Sequence, residues 1–315
     1  MRPAADRTTA PAASCEIECV SRPVARRAAS IATSKVLSYK LLLHGREPQR
    51  CGKPPEKCLL VSACAIVAAM CGRYIIRVQE NAMKDWHVHA PPEWLKTSFN
   101  VAPTHEVPVV RVAHGEREGA VLRWGLIPFF ARGEPPKYST INARVETVET
   151  APSYKGAWSR SQRCVQVTSG FYEWHVRADG RKVPYFIHLA DQEMFGFASL
   201  WDRSRRADGT WVESCALITL PANALMHDIH NGGNNPHRMP AILRKEDREA
   251  WLTGSVDEAR AVLQQYPADL MVAYPVSPRV NKPDNDDEAL LEPANDAGEE
   301  AGGTEGQLTK QQSLL

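Results

Sequence analysis

No stretch of this 315-residue chain carries the ~20 consecutive apolar residues that a bilayer-spanning helix needs. The longest apolar run, Cys58 to Met70, is too short. It also lies too far from Met1 for an ordinary secretory signal. There is no CxxC pair and no Cys/His spacing of the zinc-binding kind, which argues against a structural metal and for reduced thiols. No internal repeat is visible. The net charge is only +1, so bulk charge names no partner.

What charge there is falls unevenly. Residues 1–70 hold eleven Lys and Arg and few acids, whereas from Asp284 onward nine acidic residues face only Lys310. Of eight cysteines, five (Cys15, Cys19, Cys51, Cys58, Cys64) lie in the first 70 residues, leaving Cys71, Cys164 and Cys215. Residues 1–69 show no sustained helical or strand period. They read as a mis-assigned start, a disordered arm or a transit peptide. The expected organisation is a non-native or disordered extension over 1–70, one domain over 71–293, and an acidic, disordered tail over 294–315.

From Cys71 the texture changes. CGRYIIRV reads as a strand, residues 81–96 as partly helical, and 98–112 as a loop followed by a strand. VLRWGLIPFF (121–130) reads as a strand ending at Pro128, and 164–175 as one strand carrying an aromatic cluster. Residues 139–148 read as a turn and 152–164 as a helix. A hairpin is expected around Ala178–Gly180, leading into 184–190. Strands are expected over 194–202 and 214–222, and helices over 222–230 and 246–254, the last ending at Gly254. Many short strands with a few helices give a single α+β domain, β-rich and of mixed or antiparallel pairing.

Five stretches carry residue types suited to chemistry. In MCGRY, Cys71 directly follows an internal methionine. If Met70 is the start and is removed, Cys71 gains a free α-amine beside its thiol. An α-amine titrates near 7.7–8.0 and a lysine near 10.4, so at pH 7 roughly a tenth of α-amines are neutral against well under a thousandth of lysines. Such an amine adds to an aldehyde to form an imine, and the thiol can close a thiazolidine ring on it. The ordinary alternative is a small buried thiol. In GFYEWH, Glu173 among Phe171, Tyr172 and Trp174 is a candidate general acid or base, or a solvated strand-end carboxylate. In INARVET, Asn142 can hold an amine or a sugar oxygen and Arg144 a phosphate; a turn Asn and a surface Arg are the alternative. RWGLIP places Trp124 as a base-stacking platform or a core tryptophan. HDIHNGGNNPHRMPAIL sets His227, His230, His237 and Arg238 close together, histidine being the usual proton carrier near neutrality.

In this order, MCGRY, FNVAPT, RWGLIP, INARVET, GFYEWH, SLWD, IHN…HRMPAIL and NKPDNDDEALLEP resemble the SOS response-associated peptidase family, whose members are also called abasic site processing proteins. The resemblance covers about residues 71–293. It implies a domain of that family's fold, in which Cys71 becomes the N-terminus and crosslinks to abasic sites in single-stranded DNA. It implies catalytic roles for Cys71, Asn142, Glu173 and a histidine. His230 is favoured by its IHN context, and His237, directly before Arg238, is the rival. Arg73, Arg144 and Arg238 match positions expected to contact phosphates or shape the pocket, and Trp124 and Trp174 supply aromatic surface. The resemblance implies no cofactor and no metal, a monomer, no membrane, and a bacterial cytoplasmic protein that joins the nucleoid when bound to DNA. Crosslink reversal, strand cleavage at the abasic site and self-processing are implied as accompanying activities.

As written, Cys71 carries an amide nitrogen. Initiation at Met70, cleavage of a transit peptide, or self-cleavage of the 70–71 bond would expose the amine. A cysteine protease and a non-covalent single-strand DNA-binding module are the competing functions; the first needs only the side chain of Cys71, the second does not need Cys71 at all.

Overall fold

The computed structural model describes residues 72–77, 84, 86–88 and 91–294. The expected extension over 1–70, Cys71 itself and the tail beyond 294 lie outside the described residues.

Two β-sheets form the domain. The first contains β1 (Arg73–Ile76), β2 (Ser98–Val101), β7 (Gly170–Val176), β8 (Lys182–Leu189) and β13 (Met271–Pro275), in the order β13-β8-β7-β1-β2. All of its pairings are antiparallel. The second is built from β3 (Glu106–Ala113), β4 (Glu116–Trp124), β6 (Arg163–Thr168), β9 (Phe195–Arg205) and β10 (Trp211–Pro221). Strand β3 pairs with β4 and β6, β6 with β9, and β9 with β10. A parallel contact of β10 with β4, Ser214 beside Arg123 and Cys215 beside Trp124, closes the ring. Closure into a small barrel leaves these strands no free edge. Three short strands, β5 (Asn142–Arg144), β11 (Arg238–Pro240) and β12 (Ile242–Leu243), join the same sheet.

The helices are short and lie outside the barrel wall: α1 (Lys155–Ser159), α2 (Ala224–Ile229), α3 (Arg248–Thr253) and α4 (Val256–Ala261). Helix α2 starts where the Asn223 side chain accepts from Met226 N–H at 2.9 Å. A full capping box of Ser255 and Glu258 starts α4, a helix not anticipated from the sequence. Among the described residues no helix is long and apolar enough to cross a membrane.

Several boundaries differ from the sequence reading. The β3–β4 hairpin was missed. His114 and Gly115 both hold positive φ, 55° and 83°, the conformation a two-residue type I′ connection requires. Strand β4 stops at Trp124, not Pro128, because Gly125 turns the chain with φ 121°. Among the described residues of 81–96, a 3-10 turn spans Pro92–Leu95.

The stretch 164–175 is two strands in different sheets. Chain crossing occurs at Thr168–Gly170, where Thr168 Oγ1 sits 2.9 Å from the Ile75 carbonyl and accepts from Gly170 N–H at 3.2 Å. Ser169 N–H also donates to Ile75 O, at 3.0 Å. A Cβ at Gly170 would strike the Phe186 ring and come within 2.9 Å of the Ile187 carbonyl oxygen. The crossing therefore needs glycine.

The barrel interior is aromatic at its centre. Trp124 is fully enclosed, 5.0 Å edge-on from Tyr74, which lies 5.9 Å from Phe197. Tyr74 donates to Gln166 Oε1 at 3.2 Å, and Gln166 Nε2 donates to Cys215 Sγ at 3.3 Å. Burial pushes the thiols of Cys164 and Cys215 far up, so neither is a nucleophile near neutral pH.

Gly170→Ala is expected to lower stability by about 1–3 kcal/mol through overpacking against ring and backbone. The urea unfolding midpoint checks this, and an unchanged midpoint would show that the crossing tolerates a side chain.

Candidate active site

Strand β1 begins at Arg73, which sits opposite Tyr172 of β7. Extending this antiparallel register by one residue brings Gly72 alongside Glu173. Beyond that point no described residue pairs with β7 as a strand on this edge. The side chain of Asn231 takes over the ladder: Val176 N–H donates to Asn231 Oδ1 at 2.7 Å, and Asn231 Nδ2 donates to Val176 O at 2.9 Å. Here lies a slot of about 20 Å³, lined by Glu173, Trp174, Val176, Lys182, His230, Gly232 and Gly233. A cavity needs about 10–15 Å³ to hold one water. The slot therefore admits a small group, and a larger ligand must sit at its mouth.

Two titratable side chains meet there. Glu173 is only 2% exposed and His230 only 6%. The Nε2 of His230 lies 4.0 Å from Glu173 Oε2. On the other side of the ring, Arg238 N–H donates to His230 Nδ1 at 3.1 Å. A neutral ring accepting at Nδ1 must carry its proton on Nε2, facing the carboxylate; the tautomer is assigned from this hydrogen bond. His230 ends α2, its own N–H donating to Met226 O at 2.8 Å. A carboxylate and an imidazole so placed can hand a proton to or from a group at the slot mouth.

His237 is elsewhere. Its backbone is left-handed, with φ 59°. Its ring stacks on His227 at 3.8 Å between centroids, and Nδ1 lies 3.0 Å from the His227 carbonyl. The fold thus brings His230, and not His237, to Glu173.

Asn142 and Arg144 share one half-buried face of β5, either side of the buried Ala143. They run beside Leu217 and Thr219 of β10. The Asn142 carbonyl accepts from Tyr154 OH at 3.0 Å. Trp174 rims the slot and is fixed by Nε1–H donating to Asn281 Oδ1 at 2.8 Å.

Three expectations for DNA contact need correction. Trp124 offers no face to a base. It is core, and its Nε1–H donates to Ile141 O at 3.1 Å. Arg73 is 7% exposed. Its guanidinium donates to Asn100 Oδ1 at 2.8 Å, Val280 O at 2.7 Å and Asn281 O at 3.2 Å, and burial draws its pKa below the usual arginine value. Arg238 donates to both carboxylate oxygens of Glu146 and, at 2.8 Å, to Thr219 O. All three belong to the scaffold. Arg144 remains the half-exposed arginine of the set.

Sequence reasoning missed Asn231, Gly232, Gly233 and Lys182. The IHN motif contains Asn231, but no spacing rule says that its amide replaces a missing strand. Lys182 belongs to no motif. Among the described residues no group of three or more His, Cys, Asp or Glu is arranged to hold a metal ion.

Comparison with known proteins gives concordant results. A family profile described as "SOS response associated peptidase (SRAP)" matches residues 70–283. The abasic site processing protein YoqW of Bacillus subtilis is 35% identical over 230 residues, covering 71% of this chain and 99% of that protein. The abasic site processing protein HMCES of Gallus gallus is 31% identical over 241 residues, covering 64% and 69%. A crystal structure from Bordetella bronchiseptica superposes with a TM-score of 0.59 at 32% identity, covering 66% of this chain and all of that one. One from Bacteroides thetaiotaomicron gives 0.63 at 26%, covering 71% of this chain and all of that one.

The Arg238–Glu146 pair supports the loop that carries His230, and it sets a pH dependence. The hydrogen bonds from Arg238 hold the Glu146 carboxyl below the usual carboxylate range. A carboxyl more acidic folded than unfolded stabilises the fold fully above its unfolded value of about 4.3. That contribution is lost as pH falls through the lower folded value. Glu146→Gln should therefore be less stable than wild type at pH 6–7, with the difference vanishing in acid. Urea unfolding of both proteins across that range tests it; a difference that grows in acid would contradict it.

Proposed function

The chain belongs to the SOS response associated peptidase family, and from that premise we propose that it processes abasic sites by trapping them covalently in single-stranded DNA through Cys71. The observation that carries this reading is the Glu173–His230 pair on the open edge of β7, beside Gly72, the residue after Cys71.

An abasic deoxyribose equilibrates between a closed ring and an open-chain aldehyde. The Nε2–H of His230 is suited to hydrogen-bond the ring oxygen as it opens, and Glu173 to protonate that oxygen in its acid form and then, as a carboxylate, to take a proton from the attacking amine. The α-amine of Cys71 adds to C1′ and one water leaves, giving an imine. The thiol then adds to the imine carbon, its proton passes to the nitrogen, and the five-membered thiazolidine ring closes. Asn142 holds sugar or amine, Arg144 takes a flanking phosphate, and Trp174 presents aromatic surface at the mouth. Phosphate contacts and stacking carry no sequence information, so the substrate is a lesion in a strand state and not a sequence.

This mechanism requires a free amine at Cys71, hence removal or non-synthesis of residues 1–70. Self-cleavage of the 70–71 bond, crosslink reversal and strand cleavage at the abasic site would use the same acid–base pair. Action as a monomer on DNA in a bacterial cytoplasm completes the proposal.

A chain starting at Cys71, mixed with a single-stranded oligonucleotide containing one abasic site, should form an adduct that survives denaturing electrophoresis. Cys71→Ser should keep the amine but lose the stable adduct. Glu173→Gln should slow adduct formation by about 10²–10⁴-fold, the usual worth of a positioned proton carrier. A stable adduct of unchanged yield from Cys71→Ser would sink the thiazolidine route.

A further inference from the structure

A lysine lines the slot. Lys182 begins β8 directly opposite Val176 of β7, and it borders the cavity together with Glu173 and His230. Its neighbour Arg181 is tied to Asp179 at 2.7 Å, whereas among the described residues no ion pair engages Lys182. Register and hairpin fix its backbone, while the residue is exposed.

We propose that Lys182 is a second nucleophile for the abasic aldehyde, one that needs no processing of the chain's start. This rests on the reading that abasic DNA is the substrate. The chemistry is that of lysine with carbonyl compounds in general. The neutral Nζ adds to C1′ of the open-chain sugar and forms a carbon–nitrogen bond as the aldehyde oxygen becomes a hydroxyl. That hydroxyl leaves as water once protonated by Glu173 in its acid form at the slot. The remaining nitrogen lone pair forms the C1′=Nζ double bond of an iminium. Nothing is oxidised or reduced, and water returns the amine and aldehyde by the reverse path.

Unlike Cys71, Lys182 has no adjacent thiol to close a ring, so its product stays reversible. The two amines therefore give one site two modes. A chain whose Cys71 amine is free locks the lesion in a thiazolidine. A chain that retains residues 1–70 holds it transiently through Lys182.

The test uses the full chain and a single-stranded oligonucleotide with one abasic site, with and without cyanoborohydride, which reduces an iminium to a permanent amine. Adducts are digested and mapped by mass spectrometry. A reductant-dependent adduct on Lys182, present in wild type and in Cys71→Ala and lost in both Lys182→Ala and Lys182→Arg, supports the inference. Arginine keeps the positive charge but not the nucleophile. Trapping restored by Lys182→Arg would mean that Lys182 only holds a phosphate, and would overturn it. Trapped DNA found at other positions with Lys182 unmodified would do the same. The reductant-independent adduct of a chain starting at Cys71 is scored separately. Its presence without any Lys182 adduct leaves the proposed function standing and removes this inference. Absence of every adduct removes both.

Discussion

The buried guanidinium of Arg73 is the constraint on which the site depends. A desolvated cation is expensive unless its donors are met. Here three acceptors meet them: Asn100 Oδ1 on β2, and the carbonyls of Val280 and Asn281. Asn100 in turn donates to the carbonyls of Val280, Lys282 and Asn285, at 3.2, 3.0 and 2.7 Å. One charged side chain and one amide thus clamp the first residue of β1 to a segment some 200 residues further along. The domain's leading strand is fixed at its start, where a strand would ordinarily fray. Residue 72 inherits that precision, and it is the residue that reaches Glu173.

Asn231 shapes the slot from the other side. Among the described residues, both backbone groups of Val176 are met by the Asn231 side chain. The loop bearing Asn231 is held by Arg238 against Glu146 and Thr219, and by the stacking of His237 on His227. Strand β10 supports the arrangement, since its C-terminal end pairs with β5 on one edge and β11 on the other. The barrel is therefore less a container than a rigid frame from which β5, α2 and β11 present the site.

Much of this was legible in the sequence, but unequally. Glu173 and His230 sit in motifs whose residue types alone suggest proton transfer, and the fold places them 4.0 Å apart. The α+β class followed from the density of short strands. What failed was direction. Arg73, Arg238 and Trp124 are residue types that could face a phosphate or a base as well as a carbonyl or a core. A motif preserves the type and says nothing about which way the side chain points. The stretch 164–175 failed for a related reason. A strand-like stretch looks the same whether it stays in one sheet or crosses to another, and the glycine that allows the crossing, Gly170, looks like any glycine in a strand. Lys182 was invisible because its place in the slot depends on His230, Gly232 and Gly233, which a distant part of the chain brings to the hairpin.

The distribution of thiols and amines carries the chemical argument furthest. Cys164 and Cys215 are enclosed in the barrel, where burial disfavours the thiolate, so within the domain thiol chemistry falls to Cys71 alone. Ring closure on an aldehyde needs amine and thiol on the same residue, and only an N-terminal cysteine offers both. In the proposed chemistry, a peptide bond to Cys71 removes the amine while leaving the thiol intact. A lysine amine is subject to no such loss. Under the proposed chemistry, a site with only the first would be silent in the full-length chain, and a site with both would engage the same aldehyde in either form, differing only in whether the bond is permanent.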